Sequence, residues 1–204
     1  MYRRWTTGLP HYREESSMIA YIICEGRFDT QILQTILPKQ LLEEVEFVVA
    51  GGISSVKSLA RSIVVRRQVP VAIVVDADST VPEIVQMRTN SITEIVESVS
   101  VNTPVKVILY IPTIEAIFFQ DHQLLSRLLG YSPSQDELTL AVSEPKKILK
   151  QLIAKSEKVN DLTQFINQFI NKLSDEEIDN LRNASVIQEL ISFLQAVREP
   201  IEAL

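Results

Sequence analysis

The sequence holds one cysteine, Cys24, and two histidines, His11 and His122. A lone cysteine cannot close an internal disulfide, and together these residues cannot supply the four ligands of a structural zinc module. Long hydrophobic runs are missing too. The most apolar stretches, MIAYIIC and VILYI, have the length of strands and fall short of the roughly 20 residues that cross a bilayer as a helix. With no signal-peptide pattern at its start, the chain is expected in reducing cytoplasm, away from membranes. Positive charge is scarce: 20 Lys and Arg face 26 Asp and Glu, giving a net charge of −6. That argues against a nucleic-acid surface spread over the whole protein but leaves room for a local one. The phosphate-binding loop G-x-x-x-x-G-K-[ST] is absent, as are internal repeats and low-complexity segments. No Ser/His/Asp or Cys/His arrangement for nucleophilic catalysis stands out.

What is present is ordinary globular material. At 204 residues, 46% hydrophobic and 23% charged, the chain can build one domain, or one domain with a helical annex. It is organised around residues 71–78, VAIVVDAD. Five apolar, mostly β-branched residues with polar ones only after the last read as a strand buried on both faces of a parallel sheet. Asp76 and Asp78 then fall at its carboxyl end, where open α/β sheets bind their ligands. Two carboxylates there repel each other, and a hard divalent cation, magnesium first, would relieve them. A turn and helix-cap pair ahead of Ser79-Thr80 is the competing reading, since Asp is favoured at both kinds of position.

The other segments fall around this strand. Residues 1–17 read as an arm in which Arg3, Arg4 and Trp5 could meet a phosphate or a partner. A first strand (18–24) leads through Glu25-Gly26-Arg27-Phe28-Asp29 into a helix (30–37) that Pro38 stops. A second strand (46–50) runs into Gly51-Gly52, after which Ser54-Ser55 opens a helix with Val56, Leu59, Ala60, Ile63 and Val64 inward. The glycine pair and the serine cap would expose free amides to an anion. After the third strand comes a helix (82–99) with a break expected near Thr89-Asn90, then a fourth strand (105–111), Pro112-Thr113, and a helix carrying Glu115 in its first turn. This alternation predicts an α/β fold with a parallel sheet of about four strands flanked by helices. Beyond about residue 130 only amphipathic helices follow (137–142, 145–154, 162–173, 175–181 and 186–197), with a capping signature at Ser174-Asp175-Glu176-Glu177. The expected organisation is an arm (1–17), an α/β domain (18–130) and an all-helical C-terminal annex (131–204).

If the strands are parallel, their carboxyl ends gather Glu25, Asp29, Asp76, Asp78 and Glu115 on one rim. Lys57 and Arg61, one turn apart after the glycine pair, are placed to meet a phosphate, or simply form a solvated helix face. Arg66-Arg67 suit the end of their helix, Cys24 a small core position, and His122 a helix end.

Glu25-Gly26-x-x-Asp29 after an apolar strand, a Gly-Gly turn into a helix, and Asp76-x-Asp78 after a third strand together resemble the TOPRIM domain. That family includes topoisomerases, primases, recombination proteins and the overcoming-lysogenization-defect (OLD) nucleases. The resemblance spans residues 18–119 and implies a TOPRIM-like Rossmannoid sheet, with Glu25 as general acid or base and Asp76 and Asp78 holding magnesium, manganese being a possible substitute. Pro112-Thr113-Ile114-Glu115 is similar to the later acidic motif of OLD-type members, which implies that Glu115 joins the metal site. Asp29 would orient Glu25 or Arg27, or bind the metal in some states, and Gly51, Gly52, Lys57 and Arg61 would bind phosphate. A topoisomerase would need a nucleophilic tyrosine, and Tyr2, Tyr12 and Tyr131 have no context for one. The expected function is a magnesium-dependent nuclease binding nucleic acid weakly by itself. The resemblance suggests a separate ATPase partner, as in two-gene phage-defence systems. The alternative is a non-catalytic TOPRIM-like interaction module. A receiver or phosphatase-like domain fits less well, because it needs paired acids after the first strand. Oligomeric state stays open.

Overall fold

The computed structural model describes residues 18–199; the arm at 1–17, with Arg3, Arg4, Trp5, His11, Tyr2 and Tyr12, lies outside them. Four strands, β1 (Ala20–Cys24), β2 (Val45–Val49), β3 (Val71–Asp76) and β4 (Val105–Tyr110), form one parallel sheet in the order β2-β1-β3-β4. From β1 the chain goes outward through α1 (Arg27–Ile36) and the short α2 (Lys39–Leu42) to β2. It returns through α3 (Ile53–Arg67) to the other side of β1, and α4 (Pro82–Glu97) carries it on to β4. The winding direction therefore reverses between β1 and β3. In open sheets that reversal opens a crevice outside the carboxyl ends of the two strands.

Side chains alternate along each strand, so both faces need a cover. Ala20, Ile22, Cys24, Ala72, Val74, Ile108 and Tyr110 share a core with Ile32, Leu33 and Ile36 of α1. Tyr21, Ile23, Val71, Ile73, Val75 and Leu109 share the opposite core with Val56, Ala60, Ile63 and Val64 of α3 and Ile92 and Val96 of α4. The apolar runs seen in the sequence are the result of this double burial.

After β4 come a 3₁₀ segment (Ile114–Phe119) and six helices: α5 (His122–Leu129), α6 (Gln135–Ala141), α7 (Pro145–Lys155), α8 (Leu162–Lys172), α9 (Asp175–Arg182) and α10 (Ser185–Ala196). Their starts are chemically marked. Asp121 accepts from the Gln123 and Leu124 amides, and Ser174 and Glu177 exchange side-chain to backbone bonds across the first turn of α9. The stripe of α8 buries Phe165, Ile166 and Phe169, and these belong to the same core as α1 and its face of the sheet. Phe118 of the 3₁₀ segment meets Phe165 and Phe169 edge-on, with ring centroids 5.1 and 4.9 Å away. The C-terminal helices and the sheet thus share one continuous apolar interior.

Several local expectations change. The helix α4 runs unbroken through Thr89-Asn90, because the Thr89 hydroxyl donates to the Val85 carbonyl at 3.0 Å and Gln86 reaches Asn90 at 2.7 Å, keeping both polar side chains within the helix. Gly52 caps α3, so Ser54 and Ser55 lie inside its first turn. The element after Thr113 is 3₁₀ rather than α-helical. The structure adds the helices α2 and α5 to the expected elements: the first has four residues, and the second starts within three residues of the 3₁₀ segment.

Candidate active site

The acidic residues are delivered by the three connections that follow β1, β3 and β4. Glu25 directly follows β1, and Asp29 lies in the first turn of α1, where its Oδ2 accepts from the Gly26 amide at 2.8 Å. Asp76 is the last residue of β3, and its Oδ1 accepts from the Ile114 amide at 2.8 Å. That bond ties the end of β3 to the start of the 3₁₀ segment. Glu115, on the same segment, is 7% exposed; its Oε2 accepts from the Thr113 hydroxyl at 2.5 Å, and its Oε1 lies 3.7 Å from Lys146 Nζ. Gly51 adopts φ +82°, a backbone region that favours glycine, while its amide donates to the Glu25 carbonyl at 2.9 Å. The glycine turn therefore stays joined to the exit of β1.

These groups line a cavity of about 390 Å³. Glu25, Asp29, Asp76, Glu115 and Gly51 contribute from the sheet side, Lys146 and Lys150 from α7, and Phe28, Ile32, Phe118, Leu162 and Ile166 supply apolar wall. The helical annex is thus part of the site.

Asp78 stands apart from that lining. It is exposed, with φ +54°, a conformation that Asp tolerates better than most residues, and its amide donates to the Pro112 carbonyl at 2.8 Å. Its Oδ2 is 2.9 Å from Arg88 Nη1, while Arg88 Nη2 lies 3.4 Å from Glu25 Oε1. Arg88 therefore bridges Asp78 to the edge of the cavity.

The electrostatics follow from burial and crowding. Burial pushes the Asp76 carboxyl up to about 7, with Glu115 and Asp29 adding to the rise against the Ile114 amide and Lys146. Asp29 is raised by burial and by Glu115, in opposition to the Gly26 amide and Lys146. Glu25 is raised by burial and by Asp78 and Asp29, while Arg88 pulls it down. Negative charge exceeds what the nearby cations offset.

Lys57 and Arg61 are not brought to this cavity. They lie on α3 beside α4, where Lys57 Nζ donates to Ser91 Oγ at 2.9 Å, and they line a separate groove. The glycine turn points toward the carboxylates, but the side chains one and two turns further along the helix do not. Cys24 is fully buried, its thiol pushed up to about 12 chiefly by burial, which leaves it inert. His122 opens α5 and lines no part of the cavity. The Tyr131 hydroxyl donates to the Leu152 carbonyl at 2.9 Å, a structural role.

Sequence reasoning missed Arg88, Lys146 and Lys150. A signal existed for the first two. Arg88 is the only basic residue of α4, and Lys146 sits in the first turn of α7, where the helix dipole disfavours positive charge.

No protein-family model matches the chain, and none of the curated proteins does. Solved structures do. The C-terminal region of the Burkholderia pseudomallei OLD protein matches with a TM-score of 0.51 at 15% identity, over 88% of this chain and 98% of that one. The C-terminal region of the Xanthomonas campestris pv. campestris OLD protein matches with a TM-score of 0.50 at 14% identity, over 88% and 95%. At such identities the likeness is one of fold. The chain has an α/β, TOPRIM-like fold: a four-stranded parallel sheet flanked by helices, with a helical C-terminal part. Among the described residues no helix is long and apolar enough to cross a membrane.

Proposed function

We propose that the chain is a magnesium-dependent enzyme that cleaves nucleic-acid phosphodiester bonds, a TOPRIM-type nuclease able to use manganese as well. The observation that carries this reading is the convergence of Glu25, Asp29, Asp76 and Glu115 from three strand ends onto one cavity at the β1/β3 reversal. The donor chemistry suits a hard cation: every candidate ligand is a carboxylate, and the buried ones destabilise one another. Asp76 and Glu115, which line the cavity, would hold it; Asp78, expected beside them, lies outside the lining in an ion pair with Arg88 and would have to leave that pair to join them. Once bound, the ion would supply charge stabilisation for a phosphate and its leaving oxygen. Glu25, with its raised carboxyl, is the group suited to give or take a proton, and Asp29 holds the turn that carries it. Lys146 and Lys150 face the carboxylates from α7 and can meet phosphate oxygens. Weak intrinsic affinity for nucleic acid, given the net charge, makes a separately encoded ATPase a fitting partner, and phage defence a fitting setting.

A second reading, a non-catalytic interaction module, draws on a specific observation. Among the described residues no three acidic, histidine or cysteine side chains stand close enough to hold a metal ion, and Arg88 and Lys146 already neutralise part of the cluster. Cleavage assays separate the two. Supercoiled, linear and single-stranded substrates are expected to be cut in magnesium or manganese and spared in chelator, with Glu25→Gln and Asp76→Asn each slowing cleavage about 10²–10⁴-fold. No cleavage in either metal would refute the nuclease reading in favour of the module, and cleavage unaffected by chelator or by both substitutions would refute a metal-dependent site at these carboxylates.

A further inference from the structure

The helix α3 reads ISSVKSLARSIVVRR and buries Val56, Ala60, Ile63 and Val64. Ser54, Lys57, Ser58, Arg61, Ser62 and Arg66 recur at the spacing that puts residues on one stripe of a helix, and all six line a groove of about 540 Å³ beside α4. That spacing normally carries an apolar face. Here these six positions offer hydrogen-bond donors suited to a phosphate oxygen, three hydroxyls, one ammonium and two guanidinium groups, with Val65 and Ile95 as the apolar remainder of the lining.

Charge sharpens the point. The helix carries Lys57, Arg61, Arg66 and Arg67 with no acidic residue, in a chain whose net charge is −6. Ion pairs elsewhere engage Arg88, Lys106, Arg127, Lys146, Lys147, Lys155 and Arg182, whereas among the described residues none engages Lys57, Arg61 or Arg66. Arg67 is turned aside, stacked over the Tyr21 ring at 5.7 Å.

Position supplies the third argument. The stripe begins two residues after Gly52, and Gly51 lines the carboxylate cavity. From Ser54 to Arg66 it extends about 18 Å at the rise of an α-helix, long enough to meet more than one phosphate of a strand. We propose that this face of α3 is a track for the sugar-phosphate backbone of a nucleic acid and that it leads the strand to the carboxylate cavity. The second half of that statement rests on the nuclease reading; the first does not.

The test measures binding apart from cleavage. Fluorescence anisotropy of short labelled single strands and duplexes is followed in chelator across a salt series, for the whole chain and for Lys57→Gln/Arg61→Gln/Arg66→Gln. The triple variant is expected to bind at least about tenfold more weakly near 0.1 M salt, and its plot of log affinity against log salt to be shallower by about 2–3. Ser58→Glu keeps all three cations, stands at an exposed position, and should weaken binding in the same direction. Removing three charges elsewhere, at Lys39, Lys106 and Lys172, should change affinity far less. Equal binding by the triple variant and the unaltered protein overturns the proposal, as does failure of the unaltered protein to bind either nucleic acid at low salt, an outcome that would leave α3 to an acidic protein. Binding that depends on α3 in a protein that never cleaves upholds the track and refutes the nuclease reading.

Discussion

Phe118→Ala is expected to lower stability by about 3–5 kcal/mol, the range for truncating a buried aromatic residue. For a chain of this size that corresponds to a melting temperature lower by roughly 6–20 °C. Phe118 is 1% exposed, and its ring meets Phe165 and Phe169 edge-on, so alanine leaves a cavity and removes two aromatic contacts together. The effect should reach the site. Phe118 lies on the same 3₁₀ segment as Glu115, whose neighbour Ile114 donates to Asp76. Phe118→Leu should cost much less, and Met87→Ala, at a position 68% exposed, should stay within about 0.5 kcal/mol of the unaltered protein. Denaturant melts of the three variants check this; equal losses for Phe118→Ala and Met87→Ala would show that the annex is not anchored through this aromatic cluster.

In chelator, Asp76→Asn should raise the melting temperature. The Asp76 carboxyl is held near 7 in the folded protein, far above its ordinary value of 3.8, chiefly by burial. The folded state therefore binds a proton more tightly than the unfolded state, so stability is greatest below the ordinary carboxylate range and declines as pH rises to about 7. A shift of that size sets an upper limit of roughly 4 kcal/mol, which relaxation and water reduce. Asparagine removes the charge and keeps an acceptor for the Ile114 amide. A gain of about 2 kcal/mol would appear as roughly 4–8 °C, largest near pH 7–8 and vanishing toward pH 4. Glu137, pulled down to about 2 by Lys155 and Ser134, lines no part of the carboxylate cavity and cancels in the difference, whereas the repulsion between Asp76 and its neighbours Glu115 and Asp29 is relieved in the variant and adds to the gain. Thermal scans across pH measure it, and a lower melting temperature for Asp76→Asn at neutral pH would show that Asp76 acts as a structural cap.

The sheet was legible because double burial writes itself as unbroken apolar runs: VAIVV could hardly be anything else, and the acids at its end follow from the loops that splay there. Helix starts with side-chain caps, such as Ser174 with Glu177, were legible for the same local reason. The site was only half legible. Asp76 and Glu115 converge because β3 and β4 run parallel, which alternation implies, but Arg88 reaches Glu25 across 63 residues of sequence and Lys146 reaches Glu115 across 31, through helix packing; a local pattern can mark each as an oddly placed cation but cannot pair it with its carboxylate. Lys57 and Arg61 show the reverse case. They follow Gly51-Gly52 closely in sequence and were expected to meet a phosphate or to form a solvated face; helical geometry puts them in a groove apart from the carboxylate cavity. The break expected in α4 failed because Thr89 and Asn90 bond within their own helix.

Titration calorimetry with manganese at neutral pH tests the central claim most directly, because it reports on the carboxylates without requiring a substrate. The unaltered protein should bind manganese saturably, and Asp76→Asn and Glu115→Gln should each weaken binding at least about tenfold, a loss of roughly 1.4 kcal/mol or more. At a hundredfold excess over the dissociation constant the bound ion would stabilise the fold by about 2.7 kcal/mol, and a variant weakened tenfold would keep about 1.4 kcal/mol of that shift at the same manganese concentration. Saturable binding of equal strength in all three proteins, or none in the unaltered protein, would contradict the assignment of this carboxylate cavity as a metal-dependent active site.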